Sequence, residues 1–190
     1  NAAGRQLLVA ATATLWRGSL DGLVNNVGMN VRAPIGEATA EQWDNIITTN
    51  MSSCFFLCQA FRPFLDRGQG PAVVNVSSAA GVGSTGTGAI YGMTKAAMNQ
   101  LSRSLCCEWG GSSGIRVNTV CPWMTLTPML EAAVANSPSQ LDSVKAATPM
   151  GKLTGPEEPA SAICFLLMPA SGYISGQTLS VDGGLSASAF

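Results

Sequence analysis

Four short runs of β-branched and small apolar residues, Leu23–Val27, Ala72–Val76, Ile115–Val120 and Gln177–Val181, are separated by much longer stretches with helical spacing. Strands spaced this way cannot close as hairpins. They need helical crossovers, and crossovers produce a parallel sheet covered by helices on both faces. The fold class is therefore α/β, a doubly wound parallel sheet, and 190 residues suit one domain, 1–190, with no linker long enough to divide it.

The crossovers can be placed. Over Glu41–Leu65, the residues Trp43, Ile46, Ile47, Cys54, Leu57, Cys58, Phe61 and Leu65 recur at three- and four-residue steps along one helix face, and Asn50 falls on that same face. A second helix is predicted from about Ala89 to Trp109, stopping at Gly110-Gly111. Pro156-Glu157-Glu158 opens a third, carrying Ala160–Leu167, while Pro122, Pro128, Pro138 and Pro149 interrupt the region between. Leu7–Trp16 has the length of a signal h-region, but Thr12, Thr14 and the following Arg17 favour a helix of a soluble protein. The apolar run Ala162–Met168 is far below the roughly 18 residues of a membrane span, so no membrane partner is expected.

Composition narrows the chemistry. Ten basic and eleven acidic residues are scattered along the chain for a net charge of −1, which leaves no electrostatic footprint for nucleic acid or anionic lipid. Charged residues make up only 11%, so much surface should be buried or face another subunit. The chain has no histidine. Every Ser-His-Asp or Cys-His mechanism is thereby excluded, and acid-base work must fall to Tyr, Lys, Asp, Glu or Cys. Six cysteines without a C-x-x-C pair give no zinc ligand set, so no metal is expected, and they are read as small apolar fillers in a reduced compartment.

Open parallel sheets bind ligands beyond the carboxyl ends of their strands. Asn25-Asn26-Val27-Gly28, Ser77-Ser78 and Pro122 to Thr127 follow the first three strands and should face one crevice; Asp182-Gly183-Gly184 follows the fourth and could equally be a plain turn. Tyr91 and Lys95, four apart at the start of the second long helix, share one face, where a cation can make a phenol a usable proton donor or acceptor. As a bare pattern a Tyr-Lys pair is also an ordinary surface pair. Ser78, thirteen positions earlier at a strand end, can aim its hydroxyl at the same crevice, although alone it is equally a turn or helix cap. Asn50 is either a satisfied core amide or a polar group placed at a site. The glycines at 81, 83 and 86 spell G-x-G-x-x-G after a strand, but the next helix starts only near Ala89, so they are read as an active-site loop and not as a phosphate turn.

Asn-Asn-Val-Gly at 25–28, Asn50, Ser78, Tyr91-x-x-x-Lys95, Pro122 with Thr127 five later, and Val181-Asp-Gly-Gly together resemble the short-chain dehydrogenase/reductase family, in order and over nearly the whole chain. Ile90-Tyr91-Gly-Met-Thr-Lys95, Cys107-Glu-Trp109 and Tyr173-Ile-Ser-Gly-Gln are similar to its tropinone reductase-like branch; Trp123 departs from the Pro-Gly common in the family but is familiar among plant-type members. The resemblance implies a Rossmann-like fold and interconversion of a small ketone and a secondary alcohol with NADP, NAD being the alternative. It implies Tyr91 as the acid, Ser78 as the group holding the carbonyl oxygen, and Lys95 as the residue that binds the nicotinamide ribose and lowers the Tyr91 pKa. Asn50 would anchor a proton-relay water. Asn26 and Gly28 would line the adenosine side, and Pro122, Thr125 and Thr127 would cover the nicotinamide. Trp123, Met124, Met129 and Leu130 are candidates for the substrate wall, with core packing the other reading.

The resemblance also implies an absence. Members of the family begin with a strand and a Gly-rich turn that holds the cofactor pyrophosphate. Only 24 residues precede Asn25, so the first three strands and two helices of the full fold are expected to be missing, leaving the edge of the first strand exposed. The alternative function is accordingly a catalytically silent fragment or a non-enzymatic subunit that pairs with full-length relatives. A homodimer or homotetramer is expected. The expected compartment is the cytoplasm, or an organelle if a transit peptide precedes Asn1.

Overall fold

The computed structural model describes residues 2–134 and 139–188. After helix α1 (Ala2–Leu15), strand β1 (Gly22–Asn25) leads into α2 (Ala40–Ile46), a π-helical turn (Ile47–Ser52) and α3 (Ser53–Leu65). Strand β2 (Ala72–Val76), α4 (Ala89–Ser113), β3 (Arg116–Pro122), α5 (Pro128–Val134), α6 (Gln140–Ala147), α7 (Glu157–Leu167) and β4 (Thr178–Val181) come next. The four strands form one parallel sheet in the order β1-β2-β3-β4. This is a truncated Rossmann-like sheet. Strand β1 pairs with β2 alone among the described strands; Val24 in it and Val27 just after it are exposed, as are Leu7, Leu8, Leu15 and Trp16 on and just after α1.

Alternation along the strands sends neighbouring residues to opposite layers. Val73 and Val117 pack with Cys54, Cys58 and Leu65 of α3 and Met98, Leu105 and Trp109 of α4, while Val74 and Val120 pack against Leu166 and Ile163 of α7. The two layers make the sheet doubly wound.

A polar ladder crosses the α3/α4 side. The Asn25 amide donates to the Asn75 carbonyl oxygen at 2.8 Å, the Asn75 amide donates to Ser102 Oγ at 2.8 Å, and the Thr119 hydroxyl reaches the same oxygen at 2.7 Å. Asn25, Asn75 and Thr119 are register partners on adjacent strands, so the ladder lies at one height of the sheet.

Three sequence expectations are corrected. The helix predicted over Glu41–Leu65 is broken by the π turn, and Trp43, expected on its buried face, is 42% exposed. Helix α4 continues through Gly110-Gly111 to Ser113 and ends where Gly114 takes a left-handed conformation (φ 65°), which closes a helix C-terminus at little cost. Of the cysteines, Cys54, Cys58 and Cys121 are buried fillers, whereas Cys107 and Cys164 are exposed. Pro138 and the Met129 side chain lie outside the described residues and side chains.

Candidate active site

The carboxyl ends of β1, β2 and β3 open on a crevice of about 480 Å³ lined by Asn26, Gly28, Ser77, Ser78, Tyr91, Lys95, Pro122, Trp123, Thr125 and Thr127, with Pro156, Pro159, Ala160 and Ile163 of the α7 region as its other wall. A second cavity of about 430 Å³ is lined by Asn30, Arg32, Ser78, Thr87, Tyr91, Trp123, Met124, Thr125, Thr127 and Leu130. Ser78, Tyr91, Trp123, Thr125 and Thr127 border both. The two cavities therefore meet at a hydroxyl pair, Ser78 and Tyr91.

Each side chain is placed by its element. Ser78 follows β2 with extended backbone and caps a short 3₁₀ turn (Ala79–Gly81), its Oγ accepting from the Ala80 amide at 3.2 Å. That turn packs directly on α4: a Cβ at Gly81 would lie 2.7 Å from the Lys95 carbonyl carbon and 2.8 Å from Ser77 Oγ, so only glycine fits. The glycine motif thus supports the wall of the site and opens no helix toward a phosphate, as expected.

Tyr91 and Lys95 sit one turn apart near the start of α4. Lys95 is 3% exposed, and its ammonium donates to the Val76 carbonyl at 2.8 Å and lies 5.6 Å from the centroid of the Tyr91 ring. Burial lowers its pKa to about 8. Burial raises the Tyr91 phenol above its usual range, and a hydrogen bond with Ser78 pulls it partly back. Lys95, one turn along the same helix, places its ammonium beside the ring of that phenol.

Asn50 occupies the π turn and is fully buried. Its Oδ1 accepts from the Met29 amide at 2.8 Å, and its Nδ2 donates to the Met29 carbonyl at 2.9 Å and to the Thr94 hydroxyl at 3.1 Å. The amide therefore ties the loop after β1 to α4, and its side-chain hydrogen bonds go to protein. Gly28, one residue earlier, leaves room for both: a Cβ there would stand 3.3 Å from Lys95 Nζ and 3.5 Å from Asn50 Oδ1.

After β3, Thr125 Oγ1 donates to the Trp123 carbonyl at 3.0 Å and Thr127 Oγ1 to the Thr125 carbonyl at 3.3 Å, while the Trp123 indole donates to Thr148 Oγ1 at 3.1 Å. The fourth strand-end cluster stands apart. Asp182 borders a small separate pocket of about 110 Å³ with Trp123, Met124 and Met150. Burial pushes its carboxyl up, but hydrogen bonds from Ser186 and Gly184 outweigh burial and hold it below the usual range, as suits a turn cap. Asn30, Arg32, Thr87 and the α7 wall were not singled out from sequence, although Asn30 and Arg32 stand in the polar stretch that follows the first strand.

A family profile described as Enoyl-(Acyl carrier protein) reductase matches residues 2–186. Solved structures share the whole architecture: the ligand-free aldohexose dehydrogenase of Thermoplasma acidophilum (TM-score 0.93, 27% identity, covering 100% of this chain and 76% of that one) and a gluconate 5-dehydrogenase from Burkholderia cenocepacia in complex with NADP and tartrate (TM-score 0.90, 29%, covering 98% and 72%). The chain belongs to the short-chain dehydrogenase/reductase family. Within it, the chain is tropinone reductase-like. It is 42% identical over 186 residues to a chloroplastic tropinone reductase homolog of Arabidopsis thaliana and 41% identical over 186 residues to a second homolog of that plant, covering 98% of this chain each time. It spans 57% of the length of the first and 70% of the second.

Proposed function

We propose that this chain carries the substrate-reducing half of an NADP-dependent oxidoreductase that interconverts a small ketone and a secondary alcohol, with Tyr91 as the acid and base. The observation that carries the reading is the meeting of two cavities at Ser78 and Tyr91, with a buried ammonium behind them. The residues present fit the nicotinamide end of such a cofactor, because Gly28 lines the crevice beside Lys95, where a side chain would crowd the ammonium. Lys95 would hold the nicotinamide ribose, Pro122, Thr125 and Thr127 its carboxamide side, and Asn26 and Gly28 the approach from the adenosine. When bound, the nicotinamide supplies or takes the hydride.

The protein supplies position and a proton. Ser78 Oγ donates to the carbonyl oxygen, which fixes the substrate against Tyr91. Burial keeps the phenol protonated at neutral pH, so it is ready to give its proton to that oxygen in reduction and to take one from the alcohol in the reverse direction. Lys95, with a pKa of about 8, is still mainly cationic at pH 7 and stabilises the phenolate left behind. Asn50 positions the loop after β1 and α4 relative to each other. The choice of NADP over NAD is supported by NADP-bound neighbours, the gluconate 5-dehydrogenase above and ElxO (TM-score 0.87, 27% identity).

A second reading, a silent subunit that pairs with longer relatives, is supported by β1 pairing with β2 alone among the described strands and by the exposed Val24 and Val27. The self-association expected from composition has a surface to use: a depression of about 420 Å³ on α3 and α4 lined by Phe55, Phe56, Ala97 and Leu101, proposed as a homodimer or homotetramer contact. Among the described residues no helix is long and apolar enough to cross a membrane. The proposed compartment is the cytoplasm, or an organelle if a transit peptide precedes Asn1. The deciding experiment titrates the chain with NADPH, following energy transfer from tryptophan, and then measures ketone reduction by wild type and Tyr91→Phe. Saturable binding with turnover that falls roughly 100-fold or more in Tyr91→Phe supports the enzyme. A folded chain that binds no NADPH supports the silent subunit.

A further inference from the structure

Arg32 is, apart from Tyr91, the one ionisable side chain among the described residues lining the 430 Å³ cavity, and no carboxylate lines it. The rest of the wall is hydroxyl, amide and apolar. Arg32 also lines a groove of about 860 Å³ formed by the loops around residues 32–35 and 80–88, so it stands where the reaction cavity opens outward. Its guanidinium makes no ion pair among the described residues, where the pairs found are Arg62–Asp66 and Lys145–Asp142.

The backbone that carries it is held. Asn30 Nδ2 donates to the Thr87 carbonyl at 2.9 Å, and Gly88 (φ 101°) lies so near this loop that a Cβ added to it would stand 3.7 Å from the Val31 carbonyl oxygen and 3.8 Å from the Ala33 amide nitrogen. An exposed, unpaired guanidinium on a fastened loop, bordering a cavity without a compensating acid, biases the sign of charge that the cavity accepts. An anionic group gains a forked partner there, while a protonated amine meets only repulsion.

We propose that the substrate is a carbonyl compound bearing a carboxylate, an oxo acid or the matching hydroxy acid, whose carboxylate pairs with Arg32 while its carbonyl lies at Ser78 and Tyr91. This deepens the ketone-reductase reading and rests on it for the position of the carbonyl. It also separates this chain from a reductase of amino ketones. The two oxygens of a carboxylate match the guanidinium fork, and a neutral ester of the same shape does not.

The test uses 4-oxocyclohexanecarboxylate, its methyl ester and 4-aminocyclohexanone with NADPH, on wild type, Arg32→Met, Arg32→Lys and Arg32→Glu. In wild type the acid should exceed the ester in kcat/KM by roughly tenfold, and the amine should be the poorest. Arg32→Met should abolish the acid-to-ester ratio, Arg32→Lys should restore part of it, and Arg32→Glu should favour the amine. An acid-to-ester ratio that is the same in wild type and Arg32→Met overturns the proposal. If no ketone turns over, the reductase reading fails on its own, and binding decides this one. Binding of cyclohexanecarboxylate, followed by ligand-observed NMR, should be seen with wild type and lost with Arg32→Met; binding by both proteins or by neither overturns the proposal.

Discussion

Arg116 offers the sharpest stability prediction, because a charged side chain sits inside the sheet–helix layer without an acidic partner. It lies on β3 facing α7 and is 8% exposed, and burial lowers its pKa. Its guanidinium donates to the Leu166 carbonyl at 2.7 Å, to Ser171 Oγ at 2.7 Å and to the Ser171 carbonyl at 3.1 Å, with longer contacts to the Leu167 and Met168 carbonyls at 3.4 Å. Leu166 and Leu167 are the last residues of α7, whose carbonyls lack helical donors and carry the negative end of the helix dipole. Arg116→Met keeps the stem volume and removes the fork. Three charge-assisted bonds at about 1.5–3 kcal/mol each would be lost. Relief from burying a cation returns part of that, and Ser171 Oγ and Ile174 N still reach the Leu166 and Ser171 carbonyls, leaving a net loss of about 3 kcal/mol. With a urea slope of about 2–3 kcal/mol/M, the unfolding midpoint should fall by roughly 1 M at unchanged slope. Arg116→Lys, with one nitrogen in place of a fork, should recover less than half. Pro159, Ala160 and Ile163 of α7 line the crevice, so NADPH binding should weaken in parallel. A midpoint for Arg116→Met within about 0.2 M of wild type, equivalent to roughly 0.5 kcal/mol, would refute the capping argument.

Gly81→Ala should lower stability by about 2 kcal/mol and impair turnover, because its Cβ collides with backbone at Lys95, while Gly83→Ala, which meets open space, should change neither. Asn50→Ala should cost about 3 kcal/mol in urea unfolding by leaving both the amide and the carbonyl of Met29 without side-chain partners, and Asn50→Asp should also fail because a carboxylate cannot donate to that carbonyl. Lys95 should make stability rise with pH: its folded pKa of about 8 lies below the ordinary 10.5, so between these values the unfolded chain holds a proton that the folded one has shed. Burial raises the Cys121 thiol above its ordinary 9.0 and works in the opposite sense above that pH, so the rise should concentrate between about pH 8 and 9, reach about 1 kcal/mol, and vanish in Lys95→Met. Urea melts at pH 7, 8 and 9 test the sign.

Much of this was legible in the sequence because the apolar pattern and the fold obey the same geometry. Ala72–Val76 is β-branched and fully buried, and it is the second strand to the residue. The π turn was missed although it left a trace. Ile46, Asn50, Cys54 and Cys58 are spaced by fours, wider than the 3.6 residues of an α-helical turn, and an underwound turn takes up the excess while all four stay buried. Gly110-Gly111 misled because glycine lowers helix propensity without forbidding the helix. The end of α4 is held before them by Trp109, buried under the Arg62 guanidinium at 4.8 Å, and stopped after them by Gly114. The Arg32 position was illegible because it depends on contacts of Gly88 and Thr87 with a loop more than fifty residues away in the chain.

The polar ladder explains why the site assembles at all. Apolar strands alone specify register weakly, since Val73 and Val74 are both buried and a slip by one residue exchanges one valine for another. Asn25, Asn75 and Thr119 remove that freedom. A one-residue slip would turn an amide toward the α7 layer, where Leu166, Val120 and Ile163 offer it no partner, at a cost of roughly 1–3 kcal/mol for each orphaned group. Holding these three residues level also aligns the strand ends just beyond them: Asn26 after β1, Ser77 and Ser78 after β2, and Pro122 at the end of β3. The register that satisfies the buried amides is thus the register that brings the crevice residues together, so replacing Asn75 by leucine should lower the ketone reduction proposed for Tyr91 before it unfolds the sheet.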